Sequence, residues 1–282
     1  MALSAKQKLV SSLVLAFVLA GCWDSGGGSV SSTPTPTPSP TPTPVSYTKI
    51  ADMSGDRTFQ TGGIQYLTGP GINFTSPQQL AFGSGMTVAY TAATDSYTLR
   101  APDSTTVTLS PADVINPPPN PNGVTWNKVV GTTRDQFLLS VPSVNGVPLS
   151  YTIFGSWGHI DTTTNNATAR VGYGGSPTLA SDMPRTGTAN YAVTVGGALA
   201  QGSNSFNLSG NSSGTFSANF ANNTVSNSLT IAGTQNGVTS PPVVSFGTYN
   251  GTGTIASNAI SGTFTGTGVT GGFSGAFFGP QA

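Results

Sequence analysis

An all-β fold is predicted by three features of the sequence. Apolar and polar residues alternate through most of the chain beyond residue 44. Glycine and proline number 37 and 21 among 282 residues. Turn dipeptides recur between the alternating runs. Alternation at period two puts apolar side chains on one face of a strand, and glycine and proline both disfavour helix interiors. Charged residues make up only 6%, nine basic and nine acidic, every acid is Asp, and the net charge is zero. Such a balance argues against nucleic acid as a partner, because phosphate contacts need clustered Lys and Arg. The polar surface has to be built from Ser, Thr, Asn, Gln and Gly.

The first 44 residues are read apart from the fold. Lys6 and Lys8 give a basic start, Leu9 to Ala20 is apolar except for Ser11 and Ser12, and Ala20 and Gly21 are small. That order is a secretory signal over residues 1–21, and its apolar run is shorter than the roughly 20 residues a membrane span needs. Leu19-Ala20-Gly21-Cys22 resembles the bacterial lipobox, which implies cleavage before Cys22 and lipidation of that cysteine, the only one in the chain. Two or more acyl chains hold a protein firmly on a membrane. Ser25 to Ser32 is rich in Gly and Ser, and Thr33 to Pro44 alternates Thr or Ser with Pro. Those last twelve residues favour polyproline II and reach roughly 35–40 Å at about 3.1 Å per residue. Residues 22–44 are thus a lipidated stalk, and the expected location is the cell outer membrane.

Residues 45–183 read as an irregular β half. "MTVAYTAATDSYTLR" from Met86 gives strand, turn and strand, with the turn at Ala93 to Ser96. "TTVTLS" from Thr105 is a short strand. "INPPPNPNG" from Ile115 is a loop, because proline cannot donate to a ladder. "DQFLLSV" and "LSYTIFGSWGHI" are strands separated by Asn145-Gly146, a strong hairpin signal. Residues 184–282 have a more regular rhythm. Tyr191 shares a face with Ala189, Val193 and Val195, Phe216 with Ala218 and Phe220, Leu229 with Ile231, Ile260 with Phe264, and Phe273 with Phe277. Short, evenly spaced strands with one apolar face suggest an antiparallel barrel or sandwich, and glycines set between aromatics favour the barrel.

A family resemblance then adds to this reading. Gly155 and Trp157, Pro177 and Thr178, and Met183, Pro184, Gly187, Ala189 and Tyr191 resemble the entry into the barrel of transferrin-binding protein B-like surface lipoproteins. "GGFSGAFFGPQA" resembles that family's Gly-x-Phe-x-Gly-x-Phe-[FY]-Gly-Pro signature through Gly271, Phe273, Gly275, Phe277, Phe278, Gly279 and Pro280. The resemblance spans about Phe154 to Ala282. It implies a handle-like domain over 45–183 and an antiparallel up-and-down barrel of about eight strands over 184–282. It also implies capture of an iron-related cargo, whether an iron-carrier protein, a haem protein or a small solute, for an outer-membrane transporter or lipoprotein translocator. In the family a further strand follows the final signature, so the barrel here is expected to close with fewer strands or to keep one edge open. The alternative reading is a structural or adhesive surface lipoprotein with no soluble ligand.

Chemistry is sparse. A Ser-His-Asp triad would have to use His159, the single histidine. No cluster has metal-ligand spacing, and no glycine-rich phosphate loop opens a helix. Neither an enzyme nor a cofactor is expected. Cargo contacts are expected in the first half, which holds most of the charge beyond the stalk, with Arg57, Arg100, Trp126, Arg134 and His159 as candidates, since aromatic and Arg anchors dominate interfaces. For the anchor, Cys22→Ser should move the protein from the membrane to the soluble fraction. The same membrane recovery and processing in that variant would exclude a lipid at Cys22.

Overall fold

A computed structural model of the chain describes residues 18–20, 47–70, 72–115, 123–201, 204–266 and 268–281. The stalk, Cys22 and the proline loop at 117–121 lie outside them. The described chain is nearly all strand, with two short 3-10 turns and no α-helix.

The first sheet has the order β6-β5-β4-β2-β12-β11-β8-β7. Its strands are β2 (Arg57–Gly69), β4 (Thr87–Thr91), β5 (Ser96–Arg100), β6 (Thr106–Leu109), β7 (Gly123–Val130), β8 (Thr133–Ser140), β11 (Thr152–Asp161) and β12 (Ala167–Gly175), with β3 (Ile72–Leu80) paired to β2 alone. A small separate hairpin joins β9 (Ser143–Val144) and β10 (Val147–Pro148), turning through Asn145 and Gly146, both at positive φ. β2 is long because it serves three neighbours: Arg57 to Gln60 pair with β4, Gly63 to Gly69 pair with β3, and Thr61 to Thr68 pair with β12. Gly63 is where the pairing with β3 begins, and an added Cβ there would run into the Val171 carbonyl. One register row crosses five strands, Trp126, Phe137, Trp157, Arg170 and Gln65. Its aromatic members form the core with Leu99, Leu109, Val88 and Met86.

The second sheet is an antiparallel barrel of eight strands: β13 (Thr188–Thr194), β14 (Ala198–Gln201), β15 (Asn204–Asn207), β16 (Ser213–Asn219), β17 (Thr224–Gln235), β18 (Val243–Ala256), β19 (Ala259–Gly266) and β20 (Val269–Ala276). β17 bulges at Ile231/Ala232 in its pairing with β18, pairs its first half with β16, and pairs its end with β15, so the β14–β15 hairpin branches from the meander. Aromatic rings lie over glycines of the neighbouring strand. A Cβ on Gly271 would be 2.6 Å from the Phe264 ring, and one on Gly262 would be 2.5 Å from that of Phe273. Glycine supplies the space that lets a small barrel close over bulky rings.

Closure is incomplete at one seam. Within the sheet β20 pairs only with β19, and the outer edge of β13 carries β1 (Val18–Ala20), a piece of the expected leader. Phe277 spans the seam by packing on Tyr191 and Phe220, with ring centroids 6.0 and 5.8 Å away. Of the two expected outcomes, the open edge is the one observed, and the first sheet supports it. An added Cβ on Gly272 would meet Gln79 of β3 at 2.9 Å. Tyr173 is buried with Phe82 and Phe278 around it. Burial pushes its phenol up to about 12, against a lowering contact from Ser274 of β20.

The chain's end is fastened at this junction. Thr178 donates its N–H to the Phe277 carbonyl at 2.9 Å and its hydroxyl to the Gly279 carbonyl at 2.7 Å, while the Gly279 N–H donates to Ser176 O at 2.9 Å. Pro177 bridges Phe278. Gly279 has φ +88, and a Cβ there would lie 2.5 Å from the Tyr151 ring. Gly279→Ala should therefore lower the unfolding free energy by about 1–3 kcal/mol through left-handed strain and the clash. Denaturant unfolding measures this, and an unchanged midpoint would show that the turn is dispensable.

Candidate functional site

The strongest concentration of polar side chains is a connected array in the first sheet. It arises because antiparallel register sets Asp135 of β8 beside His159 of β11, two rows beyond the Trp157 row and so on the same face. Asp135 Oδ1 accepts from Trp157 Nε1 at 2.9 Å and contacts His159 Nδ1 at 2.7 Å. Asp135 is 7% exposed, so its charge needs these partners. The Arg170 guanidinium lies 4.8 Å from the centroid of the Trp157 ring, a cation–π geometry. Arg170 is itself buried, gives Nε to Gln65 Oε1 at 2.8 Å and Nη2 to Asp103 Oδ2 at 2.6 Å, and leaves Nη1 without a partner. Asp103 sits in the β5–β6 turn. Partial burial raises its pKa, but hydrogen bonds from Thr105 and the Arg170 charge outweigh that and hold the carboxyl below its ordinary value.

The array leads toward the end of the sheet where the β7–β8, β11–β12 and β2–β3 turns gather. Thr162 ties two of these turns together by donating its N–H and hydroxyl to Thr132 O at 2.8 and 3.0 Å. Asp161 accepts from the Thr163 hydroxyl and N–H at 2.6 and 2.8 Å, and these bonds hold its carboxyl below the usual range. Leu67, Val129 and Val130 expose 45%, 57% and 65% of their surface at this tip. Exposed apolar groups on a braced loop cluster are what a protein partner can bury.

The candidate residues do not form one site. His159 and its array lie near the tip, and Arg134, on the opposite face of β8, lies between Val129 and Ile160 with a buried, unpartnered Nε. Trp126 is 5% exposed and belongs to the core. Arg57, at the start of β2, and Arg100, at the end of β5, are exposed and stand at other corners of the β2–β4–β5 sheet. Sequence reasoning did not single out Asp135, Arg170, Asp103 or Gln65. The available signal was the alternation, which puts Arg170 in phase with Gly172 and Gly174 on the inner face of β12. Among the described residues no three His, Cys, Asp or Glu side chains gather as a metal site.

No family model and no curated protein matches the chain. Among solved structures it is similar to one described as "The Structure of Intact Ap-TbpB (N and C lobes)", at 12% identity and a TM-score of 0.30, over 78% of this chain and 61% of that one. The chain thus spans less than two thirds of that chain's length.

Removing one partner of a buried cation leaves it uncompensated. Asp103→Asn should destabilise the protein at pH 7 by about 1–2 kcal/mol, a value kept low because half of the carboxylate faces water. The sign follows from the lowered carboxyl: its contribution is present above the ordinary carboxylate range and is lost as pH falls through the lower folded value. Unfolding curves of wild type and variant should therefore converge in acid, and a gap that persists there would assign the effect to something other than this charge.

Proposed function

We propose that the chain is an outer-membrane surface lipoprotein that binds an iron-related cargo through the tip of its first sheet, for delivery to an outer-membrane transporter. The observation that carries this reading is where the stalk enters the fold. Tyr47, the first described residue after it, accepts the Leu179 N–H on its hydroxyl at 2.8 Å, and Thr48 O accepts from the Ser176 hydroxyl at 3.0 Å. Both contacts fall on the segment between the sheets. β11 starts beside this point and runs ten residues to the tip, a rise of about 33 Å at roughly 3.3 Å per residue. An anchor at one end and exposed valines at the other would hold the tip away from the membrane on a rigid sheet. Among its described residues the barrel half offers no comparable cluster of charge and braced turns. The cargo is an iron-carrier protein, a haem protein or a small solute, in keeping with the family resemblance of the barrel-entry and C-terminal motifs.

The test is a pull-down from growth medium with and without iron starvation, using the full chain and a Leu67→Asp, Val130→Asp double variant. Capture by the full chain, and at least tenfold less by the folded variant, is expected. Equal capture by both would remove the tip from the interface, and no capture of an iron-bearing species under either condition would remove the cargo assignment.

A further inference from the structure

At the far end of β2 from the tip, Arg57, Tyr90 and Tyr97 lie side by side in one register row of β2, β4 and β5. The rings form a continuous series: Tyr90 to Tyr97 at 5.0 Å, Tyr97 to Trp126 at 4.9 Å and Trp126 to Phe137 at 5.6 Å between centroids. Trp126 and Phe137 are core, Tyr97 packs against them partly buried, and the outer member, Tyr90, stands part-exposed at the surface. The Tyr90 hydroxyl is tied down, donating to Asp95 Oδ1 at 3.0 Å. Asp56 is fixed beside it by accepting the Ala92 N–H on Oδ1 at 2.9 Å. Arg57, Asp56 and Asp95 are all exposed, and the Arg57 Nη1 makes a long bond, 3.3 Å, to the Asp56 carbonyl.

We infer that Tyr90 is a stacking platform for a pyranose sugar whose hydroxyls are bound by Arg57, Asp56 and Asp95. Charge decides the ligand class. Two carboxylates repel an anion, and Arg57 opposes a cation. A neutral ring with an apolar face and a hydroxyl rim uses every group present. Its C–H face covers Tyr90, its hydroxyls donate to the two carboxylates, and they accept from the guanidinium. The platform needs little ordering on binding, because Tyr90 is held by Asp95 and backed by three further rings, and preorganisation of this kind lowers the entropic cost of association. This site is separate from the tip and does not depend on the cargo.

The test uses the full chain carrying Cys22→Ser, titrated with methyl glycosides of glucose, galactose, mannose and N-acetylglucosamine and with their β1,4-linked disaccharides. Binding of at least one probe is expected. Tyr90→Ala should weaken it at least tenfold, Tyr90→Trp should keep it, and Arg57→Ala and Asp95→Asn should each weaken it several-fold. Thermal unfolding confirms that each variant is folded. Should Tyr90→Ala prove unfolded, Arg57→Ala and Asp56→Asn, both on exposed side chains, decide the outcome. Binding of no probe, or unchanged binding in the folded platform variants, overturns the inference.

Discussion

The contact on which the rest of the structure depends is the pairing of Ser176–Thr178 with Phe277–Gly279. Three hydrogen bonds and one β-bridge fasten the end of the barrel to the segment that leaves the first sheet. Thr178 and Phe277 are each 1% exposed, so these bonds are made out of water, where an unpaired backbone group is expensive. Around them Phe278 meets Tyr173 and Phe82 from the first sheet, and Phe277 enters the barrel core. The two motifs that resemble a known family, the Pro-Thr pair and the closing Phe-Phe-Gly-Pro, are about a hundred residues apart in the chain and adjacent in space. Their residue types follow from that: a hydroxyl that donates, a glycine at positive φ, and rings for both cores.

The same junction explains how an open barrel edge is tolerated. An unpaired strand presents free N–H and C=O groups and invites another chain, and "GAFFG" is apolar and uncharged. Here the exposed side of β20 is partly screened by Gln79 of β3 and by Tyr173 of β12, while Phe277 plugs the gap toward β13. The barrel interior carries a polar residue of its own. Asn227 is 6% exposed, and neither side-chain amide atom has a hydrogen-bond partner. Gly251 lies opposite it and leaves the room it occupies, because a Cβ there would be 2.6 Å from the amide. Such a residue weakens the core, and it disfavours any register that sets it against a side chain larger than glycine.

Local pattern made most of the strands legible and very little of the polar array. Alternation placed Tyr191, Phe216, Leu229, Ile260, Phe264 and Phe273 on the inner face of the barrel, and all are buried there. Asn145-Gly146 announced its hairpin because those residues tolerate positive φ, which both adopt. The turn expected at Ala93 to Ser96 is displaced by one residue to Ala92–Asp95, since Ser96 is drawn into β5. Trp126 follows a proline loop and reads as loop-flanking, yet it is core because β7 brings it beside Phe137. The array depends on register between strands distant in sequence. Asp135 and His159 are 24 residues apart, and Arg170 reaches Asp103 across 67 and Gln65 across 105. Nothing local to Arg170 reveals that its countercharge rides on the β5–β6 turn.

Charge is used unusually in this molecule, and that constrains how it can recognise anything. Only 6% of the residues are charged, and two of them, Asp135 and Arg170, are buried in the first sheet, where each is committed to named partners. A chain that spends scarce charge inside cannot attract a partner with a broad electrostatic field. Association would then proceed without strong steering, and affinity would rest on shape, apolar contact and fixed hydrogen-bonding groups. The tip and the Tyr90 corner are consistent with that. One sets exposed valines on turns tied together by Thr162, and the other sets one ring among three charged groups of mixed sign. In both, the surface groups are held by contacts that continue into the core, so their positions are fixed before a partner arrives.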